Sequence, residues 1–518
     1  MKARYIVWAL MMPAFLTVSA QETYENAKIV AEDLNGTARY VGMGGALDAL
    51  GADLSTIGSN PAGIGLFRHS TASLSMGMVS QADAMDYSRG DKTHASFDQI
   101  GFVYSRPSSS DSYINFAFNY HKSRNFSYIL SADDRLQNAS QNKLTYEKLR
   151  NGLLYPISED GTVDMDHWYA SCNQLDDIYT RNLLNAAGDG SLYYYPATQY
   201  IFDRAHEGYV GEYDFNISGN IHDQVFLGLT VGLHDVHYKH YSDYTEKLES
   251  NPEGIDQLNV YDERRITGVG ADVKLGVIVR PVQDSPFRIG LSVATPTMYD
   301  LTTRNYTEVS DGNYTVYNSE RYDYEVYTPW KFGLSLGHTF GTTLALGASY
   351  EFADYAHVDQ RYKTDDRDYY YYSYESSESD KEMNRHTKNT LKGVSTFKVG
   401  AELKPYPELA VRLGYNYVSP MYRSDGFKDG TLEADGSLFA SATDYTNWKS
   451  TNRITCGLGY MLGKVNLDLT YQYSATDGEF SPFMNYVDNA DTSENNVANA
   501  VNVSNKRHQL LFTIGYHF

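Results

Sequence analysis

The sequence lacks any long uncharged hydrophobic run beyond its first 20 residues. A membrane-spanning helix needs roughly 20 consecutive apolar residues, so a bundle of such helices is excluded. Cysteine is scarce as well: Cys172 lies in a long polar segment and Cys456 in an alternating one, so we expect no disulfide between them. If the chain enters a membrane it does so as a closed barrel, because only helices and barrels satisfy their backbone in lipid.

Basic side chains are in the minority, with 43 lysines and arginines against 65 aspartates and glutamates. Residues 1–20 carry two basic side chains and no acidic ones, so the rest of the chain has 41 against 65 and a net charge near −24. Such a surface repels nucleic acid, which we therefore exclude as a partner. The sequence contains no metal-ligand cluster, nucleophile elbow or phosphate-binding loop. We expect no enzyme, no cofactor and no metal.

The first 20 residues have the pattern of a secretory signal peptide. Lys2 and Arg4 precede an apolar run over residues 5–16, and Val18-Ser19-Ala20 supplies the small-x-small pattern of a cleavage site. The apolar run is about 12 residues long, too short for a membrane-spanning helix. We therefore expect residues 1–20 to be removed when the chain is exported.

The last ten residues indicate the kind of sheet that the chain forms. Every second residue is apolar, up to a terminal aromatic one: Leu510, Phe512, Ile514, Tyr516 and Phe518. In a soluble protein this face would be a sticky sheet edge. In an outer-membrane barrel it is the closing strand, with its apolar face in lipid. We expect Tyr516 and Phe518 to be the barrel-closing signal that the barrel-assembly machinery reads.

Alternating segments recur along the whole chain. Their second face carries charged residues in mid-strand, among them Asp272, Lys274, Lys398 and Glu402. A polar inner face is typical of a barrel interior, and the 47 tyrosines suit the two membrane–water boundaries. These features favour a barrel over a soluble sandwich, whose strands also alternate.

The links between these segments are alternately long and short, provided that residues 322–340 form one strand bent at Pro329. Seven long and six short links then join fourteen strands, with both termini on the periplasmic side. The sequence therefore predicts an all-β fold, a 14-stranded antiparallel transmembrane β-barrel over residues 69–518. We expect it in the bacterial outer membrane, surrounded by lipids and lipopolysaccharide.

Residues 21–68 differ from the rest of the chain in being rich in glycine and lacking alternation. Residues 22–34 and 42–51 can each form a short helix. The glycines do not form a dinucleotide-binding motif, because no strand precedes them and the third glycine of that motif is absent. The segment is too small to fold alone. We expect it to lie inside the barrel as a hatch.

Several short stretches resemble the FadL/TodX family of outer-membrane transporters for long-chain fatty acids and aromatic hydrocarbons. The most specific is Gly42-Met43-Gly44-Gly45-Ala46 followed by Asn60-Pro61-Ala62-Gly63, similar to the family's hatch signature; Thr328-Pro329-Trp330-Lys331-Phe332 and Gly457-Leu458-Gly459-Tyr460 are further examples. The resemblance covers the chain from about residue 39 to its end. It implies a monomeric barrel that takes up hydrophobic molecules, most of all long-chain fatty acids, without an energy source.

In such a barrel the solute is captured by external loops, passes the hatch and leaves sideways at a kink in the third strand. The resemblance assigns the path to the hatch residues Gly44, Gly45, Asn60, Pro61, Ala62, Gly63 and Phe67. The capture surface is assigned to Trp168, Tyr193, Tyr194 and Tyr195 of an external loop. A helix-ending turn at Asn60 and a solvated loop over the barrel mouth are the structural alternatives. The third strand, near residues 112–121, contains no glycine or proline that would mark a kink.

Three other functions stay open at this point. His234, His237 and His240 recur every third residue, as in a passive receptor for haem or an iron compound, although a strand does not bring every third side chain together. A general porin needs an open lumen, which a hatch would block. An outer-membrane esterase or phospholipase is the third alternative.

Overall fold

The computed structural model describes residues 23–158, 162–169, 171–182, 192–250, 254–282, 285–367, 373–432, 442–487 and 492–518. The predicted signal peptide lies outside these residues. The described residues form one antiparallel sheet that closes on itself, because the first strand pairs with both the second and the last.

The barrel has fourteen strands, four of them interrupted by a short break and one by a helix. In chain order they are β1 Thr71–Ala82, β2 Thr93–Pro107, β3 Tyr113–Asn125 with Tyr128–Arg135, β4 Ala197–Ile221, β5 Val225–Leu248, β6 Gln257–Val279, β7 Arg288–Ala294 with Met298–Ser310, β8 Thr315–Tyr327 with Lys331–Phe340, β9 Leu344–Asp354 with Asp359–Arg367, β10 Ser373–Ser379 with Gly393–Tyr406, β11 Leu409–Val418, β12 Tyr445–Leu462, β13 Val465–Ser481 and β14 Val501–His517. The predicted count of fourteen is confirmed, and so is the single strand bent at Pro329, which lies between the two parts of β8.

Helices are few and short. They are α1 Thr23–Val30, α2 Ala38–Gly42, α3 Thr56–Ser59, α4 Gln141–Arg150, α5 Gln174–Asn182 and α6 Lys381–Thr390, with 3-10 turns at Pro61–Leu66, Tyr355–His357 and Thr492–Glu494. None of the helices in the described residues is long and apolar enough to cross a membrane.

Alternation along the strands sets the two faces of the wall. In β14, Leu510, Phe512 and Ile514 are exposed on the outside, whereas Leu511 and Thr513 are buried on the inside. The charged mid-strand residues predicted to face the lumen, such as Lys274 and Glu402, are buried there. An exposed apolar band of this kind is stable when lipid rather than water surrounds it.

Short turns join the strands at one end of the barrel, which we call the short-turn end. At the opposite, long-loop end the strands β4, β5 and β6 run for 23 to 25 residues and rise well beyond the apolar band. Together with α4 and α5 they enclose a second apolar core, which includes Leu149, Tyr179 and Phe483. The sequence pattern predicts long loops over residues 236–264 and 297–320. In the structure most of these residues are strand, because β5 runs to Leu248, β6 begins at Gln257, and only residues 311–314 separate β7 from β8.

Candidate functional site

The N-terminal segment, residues 23–67, lies inside the barrel and spans most of its height. At the long-loop end Tyr24 stacks on Tyr422 with ring centroids 5.3 Å apart, and the Thr23 hydroxyl is 2.8 Å from that of Thr387 in α6. Towards the short-turn end residues 38–66 pack against β4, β5, β6, β11, β12 and β13. The segment is almost completely buried, so it fills the lumen rather than resting on its rim.

The backbone of this segment packs against glycines on the inner face of the barrel wall. A Cβ at Gly347 would overlap the carbonyl oxygen of Ala46, and one at Gly400 would overlap that of Met43. Gly228 and Gly414 face the backbone of Pro61 and Gly44 in the same way, and Gly276 faces the Asn60 side chain and the backbone nitrogen of Pro61. Without side chains at these wall positions the backbone of the segment touches the sheet directly, the close approach for which glycine is suited.

The predicted hatch residues Gly44 and Gly45 have left-handed backbone conformations, with φ of +65° and +81°. A side chain on Gly44 would also meet the backbone nitrogen of Tyr415 at 2.8 Å. Only glycine satisfies both conditions without strain. These residues turn the chain from α2 onto the wall formed by β11.

The predicted Asn60-Pro61-Ala62-Gly63 motif begins a 3-10 helix. The Asn60 side chain accepts a hydrogen bond from the Ala62 backbone at 3.2 Å, and Pro61 occupies the first turn, as at a capped helix start. Phe67, after the helix, is buried beside Val103 and Ala117 of the wall. The structure thus gives this group an anchoring role against β2–β6.

Ion pairs add further anchors. Arg39 of the segment binds Glu402 at 3.0 Å, and Glu402 also binds Arg412 of β11 at 2.6 Å. Asp48 lies 3.6 Å from Lys398. Arg39 is partly exposed, whereas the other members of these pairs are buried, so each buried charge depends on its partner remaining in place.

Six ionisable residues on the inner face of β3–β6 form a second charged group. His121, Glu212 and Asp214 form one cluster of potential metal ligands, and Glu212, His234 and Asp272 another, with the ligand atoms of each within 4.8 Å of one another. Lys274 lies among them: its ammonium pairs with Glu212 and is 3.1 Å from Asp214 and 3.5 Å from Asp272. The lysine supplies the positive charge that three buried carboxylates require.

The three histidines of the haem hypothesis do not face a common space. His234 and His240 point into the lumen, where they lie 3.0 Å from Asp272 and 3.2 Å from Asp262. His237 is exposed on the outside, beside Asp235. The spacing of three residues places His237 on the opposite face of β5 from its neighbours.

The wall has a discontinuity between β2 and β3. Their pairing ends at Gln99 and His121, and β3 breaks after Asn125. Beyond the break Ile129 passes over the inner face of β1, where its backbone nitrogen and oxygen both bond to the Gln81 side chain at 2.7 Å. The break lies a few residues after the 112–121 region and uses neither glycine nor proline, which is why sequence reasoning missed it.

The N-terminal segment bonds to both sides of this discontinuity from inside the barrel. The backbone nitrogen of Asp33 donates to the Ser123 carbonyl at 2.8 Å, and the Asn125 backbone donates to the Asp33 carboxylate at 3.0 Å. Asn35 donates to Asp98 of β2 at 3.0 Å and to the Lys122 carbonyl of β3 at 3.1 Å. Residues 33–35 thus bridge the two strands where these no longer pair with each other.

The Asp33 carboxylate also lies among three arginines, Arg124, Arg453 and Arg507. Burial raises the pKa of Asp33, but the three guanidinium groups lower it by more, so its pKa is below the usual value. Asp33 is therefore ionised at neutral pH. Sequence reasoning did not single out this cluster, although Arg453 and Arg507 are charges on the inner face of alternating segments, the signal that identified Lys274.

Two cavities extend from this cluster. One, of about 190 Å³, lies towards the short-turn end and is lined by charged residues such as Glu32 and Lys331 and by apolar ones such as Val394 and Met421. The other, of about 170 Å³, has Phe126, Tyr422 and Trp448 in its wall. Asp33 lines both cavities, so the lumen offers space with mixed polar and apolar walls on either side of it.

The predicted capture residues lie in the structure at the long-loop end. Trp168 and Tyr193 are exposed, whereas Tyr194 packs on Tyr146 with ring centroids 4.9 Å apart. Tyr195 is buried, and its backbone nitrogen donates to Asn142 at 2.8 Å. Two of the four residues thus present rings at the surface, and Tyr195 belongs to the core of the loops.

The C-terminal residues close the barrel as the sequence suggests. Tyr516 and Phe518 point outward with ring centroids 5.1 Å apart. The backbone nitrogen of Phe518 donates to the Ser70 carbonyl at 3.0 Å, so the last residue is tied to the start of β1. The last strand therefore completes the ladder.

Comparison with solved structures identifies the architecture. A FadL homologue from Pseudomonas aeruginosa is 11% identical, with a TM-score of 0.50 and an alignment that covers 94% of this chain and 99% of that one. The Ralstonia pickettii toluene transporter TbuX is 12% identical over the same shares, with a TM-score of 0.48. No family model matches the sequence, and no curated protein is similar to it at the sequence level. The chain has a FadL-like fold, a closed antiparallel barrel of fourteen strands.

Proposed function

We propose that this chain is a bacterial outer-membrane channel for the passive uptake of hydrophobic molecules, with long-chain fatty acids as its main substrates. The observation that carries the proposal is a barrel with an apolar outer band whose lumen is filled by its own N-terminal segment. A wall that is apolar outside suits a lipid environment. A filled lumen suits a gated path for selected solutes and opposes the open pore of a general porin.

The proposed path begins at the long-loop end, where Trp168 and Tyr193 expose aromatic rings to an arriving apolar molecule. It continues through the cavities beside Asp33 and leaves sideways at the discontinuity between β2 and β3, opened by a movement of the N-terminal segment. Apolar burial favours entry by about 0.8 kcal/mol for each methylene removed from water. Diffusion down a gradient then suffices, and uptake requires no chemical reaction.

The remaining expectations belong to the same proposal. Residues 1–20 are removed on export, and the mature chain reaches the outer membrane as a monomer. There it is inserted by the barrel-assembly machinery through Tyr516 and Phe518, among lipids and lipopolysaccharide. The outward direction of His237 disfavours a haem site built from His234, His237 and His240.

Ligand that co-purifies with the protein tests this proposal. We expect organic extraction of the detergent-purified chain, followed by mass spectrometry, to yield fatty acids in excess of those from an unrelated outer-membrane barrel purified in parallel. Porphyrin in the extract would favour a haem carrier instead. No enriched ligand, together with steady large ion currents in planar bilayers, would contradict the proposal and favour a porin.

A further inference from the structure

Three arginines from three different strands converge on one carboxylate of the N-terminal segment. Arg124 of β3 lies 3.0 Å from Asp33, Arg453 of β12 lies 3.6 Å from it, and Arg507 of β14 lies 3.8 Å from it. Among the described residues, Asp33 is the one carboxylate within ion-pair distance of any of the three. Three positive charges thus share one negative charge in the interior of an acidic protein.

The other cations that line the cavity of about 170 Å³ beside this cluster have carboxylate partners of their own. Lys28 binds Glu25 at 2.7 Å, and Arg204 pairs with Asp444. The excess of two positive charges is therefore local to the three arginines. Guanidinium groups removed from bulk water without matching anions are costly, and their combined field attracts a further anion.

The surroundings suit an anion with an apolar body. Guanidinium groups present planar forks that match the geometry of carboxylates and phosphates. The adjoining cavity of about 170 Å³ is lined by these arginines and also by Phe126, Tyr422 and Trp448. The same cavity can therefore place a charged head group against the arginines and an apolar tail against the aromatic rings.

We propose that the three arginines are the binding site for the anionic head group of an amphipathic ligand. The Asp33 carboxylate occupies this site until the head group of the ligand displaces it. The ligand class is a monoanion, such as a carboxylate, that carries an extended apolar tail. The inference rests on the proposed uptake function and assigns the residues that bind the head group of its fatty-acid substrates.

Displacement of Asp33 links binding to the wall of the barrel. The same residue donates its backbone nitrogen to Ser123 and accepts from the Asn125 backbone, beside the break in β3. A head group that takes over the arginines removes the main electrostatic attachment of residues 33–35. The bridge between β2 and β3 then loosens only when a ligand of the correct charge is present.

Ligands that share a tail and differ in their head group test the site. The full-length processed chain in neutral detergent is titrated with laurate, dodecanol and dodecyltrimethylammonium, and acetate serves as an anion without a tail. We expect laurate to bind most tightly, dodecanol at least about tenfold more weakly, and the other two not measurably. Equal affinity for laurate and dodecanol would overturn the proposed site.

Two substitutions separate ligand binding from folding. Arg453→Gln is expected to weaken laurate binding by about tenfold, whereas Asp33→Asn, which keeps the shape and removes the competing charge, is expected to tighten it. Arg321→Gln, in an exposed pair with Asp323 on β8, is the matched control and should bind as the parent does. Weaker laurate binding in Asp33→Asn, despite parental heat stability, would contradict the displacement.

The outcomes distinguish this inference from the proposed function. Uptake that is the same for laurate and dodecanol, and unchanged in Arg453→Gln, would leave the uptake channel in place and refute the head-group site. Failure of every tailed ligand to bind or to be taken up would refute both.

Discussion

Replacing Gly400 with leucine is expected to displace the N-terminal segment and to turn the filled barrel into an ion-conducting pore. A Cβ at this position would overlap the Met43 carbonyl oxygen, and a backbone atom cannot move aside as a side chain can. Gly347, which faces the Ala46 carbonyl in the same way, should give the same result. Planar-bilayer recordings are expected to show frequent, large conductance steps in these variants and few in the parent.

Gly219→Leu is the matched control for this experiment. It also adds a side chain to a strand glycine, but Gly219 faces outward and no atom lies within 4 Å of the position that its Cβ would take. Heat-modifiable migration on gels would verify that every variant forms a barrel. Parental conductance in a correctly folded Gly400→Leu variant would contradict the close contact between the segment and the wall.

Replacing Lys274 with methionine is expected to cause the largest loss of stability. The ammonium of Lys274 serves Glu212, Asp214 and Asp272, all of them buried. Removal of one partner from a buried ion pair typically costs about 3–5 kcal/mol, because the remaining charge is left uncompensated. Equilibrium unfolding in urea, monitored in detergent or lipid vesicles, would measure the difference from the parent.

The stability loss should depend on pH. As pH falls, protonation of the carboxylates removes the uncompensated negative charge, so the difference between Lys274→Met and the parent should shrink. Lys239→Met, on the exposed outer face of β5, is the control and should unfold close to the parent. Equal unfolding of Lys274→Met and the parent at neutral pH would show that the three carboxylates do not need the lysine.

Much of the barrel could be read from the sequence because the rule that builds it is local. Alternate residues of a strand face opposite sides, so the outward side chains of β14 and the inward Lys274 follow from neighbouring residues alone. The count of fourteen strands also required that the chain on both sides of Pro329 be treated as one bent strand. The local pattern supports this choice less well. Here the ladder continues on either side of the proline, as is usual at a bend.

The sequence did not predict the strand where apolar and polar residues no longer alternate between the outer and inner faces of the barrel. In the first part of β8, Thr315–Tyr327, polar and aromatic residues occupy both sides, because the ladder there has risen beyond the apolar band. Residues 322–327 were predicted to belong to a strand, whereas residues 315–320 resemble a loop in composition and were predicted to lie in a long link. Backbone pairing with β7 makes them a strand.

The candidate site depends on contacts that no local pattern encodes. Asp33 meets Arg124, Arg453 and Arg507 from strands at opposite ends of the chain, brought together only when β14 closes the barrel on β1. The hatch motif at Gly44 and Asn60 predicted that a segment enters the lumen. It did not predict that Asp33, outside the motif, would bridge the break in β3.

Uptake through a reversibly locked barrel tests the central claim most directly. A Cβ at Gly42 would lie 2.8 Å from Oγ1 of Thr470 on β13, close enough for Gly42→Cys and Thr470→Cys to form a disulfide, in a background that lacks Cys172 and Cys456. Laurate uptake into vesicles is expected to fall to the protein-free rate on oxidation and to recover with reductant, whereas each single-cysteine variant is unaffected. Undiminished uptake by the fully oxidised pair would contradict a path controlled by movement of the N-terminal segment.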